Sequence, residues 1–135
     1  QTEEVVPLEK EIDFGSRYLK LQQLRFGENL QVKWEGEVPK GSMIPPLSLQ
    51  LLFENAVKHN EISNEYPLEI KINIDQNFIW VENAIRKKLI EDGSSTGVGL
   101  ENIKERYRLL SEKEVEIFHN EKSYKVCLPI INLHK

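Results

Sequence analysis

Three segments of the chain carry apolar residues at the spacing of an amphipathic helix. The first extends from about residue 8 to residue 25, and Pro7 suits its first helical position. The second extends from about residue 47 to residue 59, and Asn60 suits its end. The third begins at residues 97–99 and extends to about residue 111. We therefore predict three helices.

Five other segments have the pattern of strands. Apolar and polar residues alternate most regularly at residues 68–75, and the two-residue connection Gln76-Asn77 joins them to an apolar run at residues 78–81. These two strands should pair antiparallel. Further strands are predicted at residues 30–36, 115–118 and 124–128, the last two around a turn.

The order of these elements is helix, strand, helix, hairpin, long connection, helix, hairpin. That order predicts an α/β (α+β) two-layer sandwich, with a largely antiparallel mixed sheet and helices on one face. It differs from the strand and helix alternation of a Rossmann fold. The connection at residues 84–96 is polar and long enough to form a functional, mobile lid. Its basic run at residues 86–88 either contacts phosphates or is simply solvated.

Composition narrows the class of protein. A chain of 135 residues with 39% hydrophobic residues can fill one core, and 18 basic against 22 acidic residues argues against a nucleic-acid surface. The single cysteine, Cys127, cannot form an intrachain disulfide, which favours a reducing compartment. No apolar run approaches the roughly 20 residues needed to span a bilayer. Because the chain begins with Gln1 and opens directly into helix-like sequence, we expect it to be a piece of a longer protein.

The second predicted helix ends in a polar cluster, Glu54-Asn55-Ala56-Val57-Lys58-His59. Asn55 lies three residues from Lys58 and four from His59, so one face offers an amide oxygen, an ammonium group and an imidazole. Magnesium prefers oxygen ligands, and a lysine acts as a point charge toward phosphate, so this face suits a metal-bound polyphosphate. The alternative is a solvated helix face whose cations complement the helix dipole.

The third predicted helix opens with Gly97-Val98-Gly99-Leu100-Glu101-Asn102. Two glycines allow a sharp turn and a close approach to a ligand, and free amides at a helix N-terminus favour an anion such as phosphate. The alternative is a simple joint between segments. The glycine pair indicates a phosphate site only in combination with the Asn55 cluster.

These two motifs resemble a known family. The run PPLSLQLLFENAVKH at residues 45–59 resembles the N box of LytS-type sensor histidine kinases, in the gyrase, Hsp90, histidine kinase and MutL superfamily, and GVGLENIKERY at residues 97–107 resembles their G2 box. LEKEI at residues 8–12, with YL at 18–19 and LRFG at 24–27, is similar to the helix that follows the phosphoacceptor. The resemblance implies a Bergerat fold, with residues 1–27 ending the helical segment and residues 28–135 forming the ATP-binding domain.

The resemblance also implies roles for individual residues. Asn55 would carry the magnesium, Lys58 and His59 would face the phosphates, and the two glycines would hinge an ATP lid. The remaining nucleotide-binding positions would be Asn83, Ile85, Leu100 and Asn102. Glu54 would act in catalysis beside Asn55, by polarising a nucleophile or holding a metal-bound water. Glu54 is turned about 100° from Asn55 around the helix, so a purely structural role stays open.

One segment departs from the family pattern. The superfamily usually has an aspartate-x-glycine G1 box after the second hairpin strand, whereas this chain has WVENAI at residues 80–85. Asn83 stands where the aspartate accepts the adenine amino hydrogen. A neutral acceptor forms a weaker hydrogen bond than a charged one, by about 1 kcal/mol, so nucleotide binding should be roughly fivefold to tenfold weaker.

The resemblance implies the catalytic domain of a two-component sensor histidine kinase that binds Mg-ATP and passes the γ-phosphate to a histidine on an upstream segment. Alone, this chain should bind nucleotide without autophosphorylating. The expected partners are the upstream acceptor domain and a response regulator, in a homodimeric parent anchored in the bacterial membrane with this domain in the cytoplasm. The alternatives are a degenerate nucleotide-binding or scaffolding domain and an anti-sigma-type serine kinase.

Overall fold

The computed structural model describes residues 4–86 and 98–132. Three helices and eight strands occur in this part of the chain, with one short 3-10 turn at Gly27–Asn29. The helices are α1 (Leu8–Phe26), α2 (Ser48–His59) and α3 (Val98–Leu110). The strands are β1 (Val6–Pro7), β2 (Leu30–Gly36), β3 (Ser42–Ile44), β4 (Leu68–Ile74), β5 (Phe78–Ala84), β6 (Glu116–His119), β7 (Ser123–Pro129) and β8 (Ile131–Asn132).

The main sheet has five strands in the order β2-β4-β5-β7-β6. The β2 and β4 strands are parallel, and every other neighbouring pair is antiparallel. This is the largely antiparallel mixed sheet that the sequence predicts. The strand β5 continues to Ala84, three residues beyond the apolar run that predicted it, because Glu82, Asn83 and Ala84 stay paired with β7.

One face of the sheet is covered by the helices, and the other carries charged side chains such as Lys125 beside aromatic rings such as Trp80. The inner side chains of β4 and β5, such as Ile70, Ile72 and Val81, are buried against the apolar faces of α1, α2 and α3. Trp34 also lies on this side and contacts the Phe53 ring edge-on, with ring centroids 5.9 Å apart. On the outer face, the Lys125 ammonium lies 3.6 Å from the centroid of the Trp80 ring. The two-layer architecture with helices on one face is confirmed.

A second, three-stranded sheet has the order β1-β3-β8 and was not predicted. Its strands contain two or three residues each, which is too short to give an alternating pattern. Val6 pairs with Ile44, and Ser42 pairs with Asn132, so the sheet depends on contacts between distant parts of the chain. Pro7 is therefore the last residue of β1 and precedes α1, instead of occupying the first helical position.

The helices α1 and α2 pack closely along their length. Gly15 lies so near the Phe53 ring that an added Cβ would come within 2.5 Å of the Phe53 Cε2 atom. At the start of α2, Leu47 has a left-handed backbone with a φ of 67°, so the helix begins at Ser48. The first helix is thus an integral part of the core and contacts the helix that carries the Asn55 cluster.

Candidate functional site

The polar cluster of α2 lies at the C-terminal half of that helix. Asn55 and His59 are half-buried, and Lys58 is exposed. Among residues 4–86 and 98–132, no group forms a hydrogen bond with the Asn55 amide, so its oxygen is available to a ligand. The buried side of the same helix is apolar, with Leu52, Phe53 and Ala56 in the core. Packing of that side holds the polar face outward.

The helix α3 runs antiparallel to α2 and begins beside it. A Cβ added at Gly99 would lie 3.0 Å from the Leu51 side chain, and the Arg106 guanidinium donates a hydrogen bond of 2.9 Å to the Pro46 carbonyl oxygen. Leu51 is one helical turn before Asn55 and on the same face. The first turn of α3, with its free backbone amides, therefore lies toward the side of α2 that carries Asn55. An oxygen ligand and a helix N-terminus on one side suit a metal-bound polyphosphate.

The other residues predicted at the start of α3 differ in their surroundings. Leu100 is half-buried against the core, whereas Asn102 is exposed. Gly97 and the basic residues Lys87 and Lys88 lie outside the described residues. The structure thus brings Gly99 beside α2, packs Leu100 against the core, and leaves Asn102 on the solvent side of α3.

Asn83 lies near the end of β5 on the inner, helix-facing side of the sheet. Its side chain is 5% exposed, and its Nδ2 atom donates a hydrogen bond of 2.8 Å to the Ala84 carbonyl oxygen. Because a carbonyl only accepts, this contact fixes the orientation of the amide. In the described part of the chain no donor contacts the Asn83 Oδ1 atom, so this oxygen remains an acceptor for a ligand.

Asn60 connects the segment after β5 to the end of α2 through side-chain hydrogen bonds, a role that the sequence did not predict. Its Nδ2 atom donates to the Ala56 carbonyl oxygen at 2.9 Å, and its Oδ1 atom accepts from the Arg86 backbone N–H at 2.8 Å. The Glu61 N–H also donates to the Arg86 carbonyl oxygen at 2.6 Å. Asn60 has an extended backbone, so it ends α2 through its side chain instead of a left-handed conformation.

Ile85 lies at an open pocket that is separate from the α2 face. Its backbone N–H donates to the Lys122 carbonyl oxygen at 2.8 Å, at the turn between β6 and β7. The pocket has a volume of about 1100 Å³, and none of Asn55, Lys58, His59 and Gly99 lines it. Its charged lining is mostly acidic, with three carboxylates against the one guanidinium of Arg86 among the described residues. Arg86 stacks on the Tyr66 ring, with 3.7 Å between Cζ and the ring centroid.

Glu54 lies on the side of α2 that faces α1. It lines a groove of about 280 Å³, the α1–α2 groove, together with Tyr18, Gln22, Arg25, Phe26, Val57 and Lys58. Burial, and secondly the negative charge of Glu54, raise the pKa of Tyr18, whereas Arg25 acts in the opposite direction. Glu54 is therefore close to α1, and Lys58, which also lines this groove, lies between Glu54 and Asn55 around the helix. The LRFG motif at residues 24–27 was the sequence signal for the α1 side of this groove.

No helix in the described part of the chain is long and apolar enough to cross a membrane. No family model matches the chain.

Comparison with curated proteins finds sensor proteins as relatives. The chain is 30% identical over 127 residues to the sensor protein LytS of Bacillus cereus, a match that covers 82% of this chain and 21% of that protein. It is 28% identical over 120 residues to the sensor protein LytS of Streptococcus agalactiae, covering 78% and 21%. It is 30% identical over 114 residues to the sensor histidine kinase YesM of Bacillus subtilis, covering 78% and 20%. The chain thus spans about a fifth of the length of these relatives.

Solved structures with a similar fold include parts of histidine kinases. The catalytic domain of histidine kinase ThkA matches with a TM-score of 0.56 at 12% identity, over 93% of both chains. The cytoplasmic segment of histidine kinase QseC matches with a TM-score of 0.57 at 16% identity, over 92% of this chain and 76% of that one. The chain is a homologue of LytS-type sensor histidine kinases and has the fold of a histidine kinase catalytic domain.

Proposed function

We propose that this chain is the ATP-binding catalytic domain of a sensor histidine kinase and binds Mg-ATP between α2 and the start of α3. The observation that carries the proposal is the position of Gly99 beside Leu51, one turn from Asn55. Asn55 would hold the magnesium through its amide oxygen, Lys58 and His59 would face the phosphates, and the first amides of α3 would bind the polyphosphate. ATP, when bound, supplies the phosphoryl group for a histidine on another segment of the parent protein.

In this proposal, Asn83 accepts a hydrogen bond from the adenine amino group. Its fixed amide orientation and the open Oδ1 atom support this role. Gly97 would hinge the lid with Gly99, while Leu100, Asn102 and Ile85 are assigned to the nucleotide site by resemblance alone. The exposed position of Asn102 and the separate pocket beside Ile85 give these two residues weaker support.

We further propose the surroundings of this domain in its parent. Residues 1–27 would end the helical segment that follows the phosphoacceptor, and residues 28–135 would form the ATP-binding domain. The parent would be a membrane-anchored homodimer that passes its phosphoryl group to a response regulator, with this domain in the cytoplasm. The relation to LytS sensor proteins supports these assignments.

A degenerate nucleotide-binding or scaffolding domain is the second candidate. The observation in its favour is the absence of both the G1 aspartate and the G1 glycine from residues 80–85. An uncharged acceptor at Asn83 lowers the expected affinity without removing the hydrogen bond. The two candidates therefore differ in whether nucleotide binds in a magnesium-dependent way.

Calorimetric titration with ATP, with and without magnesium, separates these candidates. The unaltered chain should bind ATP saturably, and Asn55→Ala should abolish the magnesium-dependent part of binding because the metal loses its protein ligand. Asn77→Ala is the matched control, since Asn77 lies in the exposed β4–β5 turn. Absence of binding at millimolar ATP would favour the degenerate domain, and unchanged affinity in Asn55→Ala would contradict the metal assignment.

A further inference from the structure

The α1–α2 groove holds two cations that no anion in the described structure neutralises fully. Arg25, in the last turn of α1, and Lys58, in the last turn of α2, line the same groove of about 280 Å³. Glu54 is the single carboxylate that the described residues contribute to its lining. Within residues 4–86 and 98–132, none of these three side chains forms an ion pair. The groove therefore has a net positive charge.

The neutral side chains in the groove can also bind an anion. The Tyr18 hydroxyl and the Gln22 amide both carry hydrogen-bond donors. A water molecule occupies about 30 Å³ in the liquid, so the groove has room for a phosphate group and several waters. The guanidinium of Arg25 lies over the Phe26 ring, with 4.8 Å between Cζ and the ring centroid, which restricts its position at the end of α1. These groups can bind the phosphate of a nucleotide that adjoins the groove.

The order of side chains around α2 relates this groove to the proposed nucleotide site. At about 100° per residue, the order of side chains around the helix is His59, Asn55, Lys58, Glu54. Leu51, which lies beside Gly99 of α3, falls between Asn55 and Lys58 in this order, and Lys58 and Glu54 line the groove with α1. Lys58 is thus the link between the proposed metal site and Arg25. A polyphosphate chain that was bound at Asn55 and extended past Lys58 would bring its terminal phosphate toward this groove.

We propose that Arg25 of α1 binds the terminal phosphate of ATP together with Lys58. This inference rests on the proposed function and adds a residue from the first helix to the nucleotide site. A guanidinium presents two parallel N–H donors to a phosphate, whereas a lysine offers a point charge, so the pair combines orientation with charge. Arg25 would then distinguish ATP from ADP, because ADP lacks the phosphate that reaches the groove.

The test is calorimetric titration of the 135-residue chain with Mg-ATP and with Mg-ADP. Arg25→Gln should weaken ATP binding about tenfold, as expected for the loss of a charge-assisted hydrogen bond, and should change ADP binding less than about twofold. Arg25→Lys should recover part of the ATP affinity because it restores the charge without the fork of donors. Arg17→Gln is the matched control: Arg17 lies on the same helix, is exposed, and pairs with Asp13 outside the groove.

Each outcome decides between the inference and the proposed function. Equal ATP affinity in Arg25→Gln and the unaltered chain overturns the inference and leaves the proposed function intact. An equal loss of affinity for ATP and ADP would place Arg25 at another part of the nucleotide, and it would also overturn the inference. Absence of nucleotide binding by the unaltered chain removes the proposed function and this inference with it. Circular dichroism and the thermal midpoint of each variant show whether a loss of affinity reflects a loss of fold.

Discussion

The Glu11 carboxylate of α1 accepts a hydrogen bond from the Leu47 backbone N–H, with 3.1 Å between Oε2 and N. Its second oxygen, Oε1, lies 3.4 Å from the Leu49 backbone nitrogen, which also donates to it. Helix α2 has no acidic residue in its own first turn, so a carboxylate from another helix satisfies its free amides and complements its dipole. Glu11 is only 7% exposed, which makes this contact part of the core.

Replacing Glu11 by alanine should therefore destabilise the protein more than replacing an exposed acidic residue on a helix does. The Leu47 and Leu49 amides at the start of α2 would lose their charged acceptor, and we expect the free energy of unfolding to fall by about 2–3 kcal/mol. Urea unfolding at neutral pH measures this change. Glu9→Ala is the control, because Glu9 is exposed in the same helix and should change stability by less than about 0.5 kcal/mol. Equal effects of the two substitutions would contradict the capping role.

The sequence predicted those parts of the fold that depend on local periodicity. The three helices and five strands of the main sheet each contain enough residues to repeat a pattern, as Leu68–Ile74 does. The second sheet could not be predicted, because its strands are very short and join residues as distant as Val6 and Ile44. The capping of α2 by Glu11 was missed for the same reason: it joins residues 36 positions apart.

The candidate site was predictable to a similar extent. Spacing along one helix was enough to group Asn55, Lys58 and His59 on neighbouring parts of its surface. The side on which Glu54 lies depends on how α1 packs against α2, and no periodicity reports that packing. Asn60 looked like a helix end in the sequence, whereas its two side-chain hydrogen bonds depend on where β5 ends in space.

Tyr107 should make the stability of the protein sensitive to alkaline pH. Its ring is fully buried, its hydroxyl donates a hydrogen bond of 2.7 Å to the Pro129 carbonyl oxygen, and burial, followed by the negative charge of Glu11, raises its pKa far above 10.0. The folded state then keeps a proton that the unfolded chain releases. This contribution to stability is fully present below pH 10 and is lost as the pH rises toward the folded pKa, by up to about 1.4 kcal/mol per pH unit.

Tyr107→Phe tests this dependence by urea unfolding between pH 8 and pH 11. The variant should be less stable at pH 8 by about 1 kcal/mol, because the Pro129 carbonyl loses its donor. Above pH 10 its stability should fall less steeply than that of the unaltered chain. The pKa values of Tyr18 and Tyr124 are also raised by burial, so some alkaline dependence should remain in the variant. Parallel curves for the two proteins would contradict the assignment to Tyr107.

Asn83→Asp should change nucleotide affinity and stability in opposite directions. The aspartate restores the charged acceptor of the usual G1 box, so ATP should bind about fivefold more tightly. The same change removes the Nδ2 donor to the Ala84 carbonyl and brings a carboxylate close to that oxygen at a site that is 5% exposed. Without nucleotide, the free energy of unfolding should therefore fall by about 1–3 kcal/mol at neutral pH.

The two effects of this substitution have separate measurements. Calorimetric titration with Mg-ATP reports the affinity, and urea unfolding without nucleotide reports the stability. Asn83→Ala is the comparison, since it removes both the Oδ1 acceptor and the Nδ2 donor and should lose affinity as well as stability. Equal or weaker ATP binding by Asn83→Asp, in a protein that remains folded, would mean that adenine is not held through residue 83. Loss of stability in both variants, with tighter ATP binding in the aspartate variant alone, would show that Asn83 preserves the Ala84 contact at the cost of nucleotide affinity.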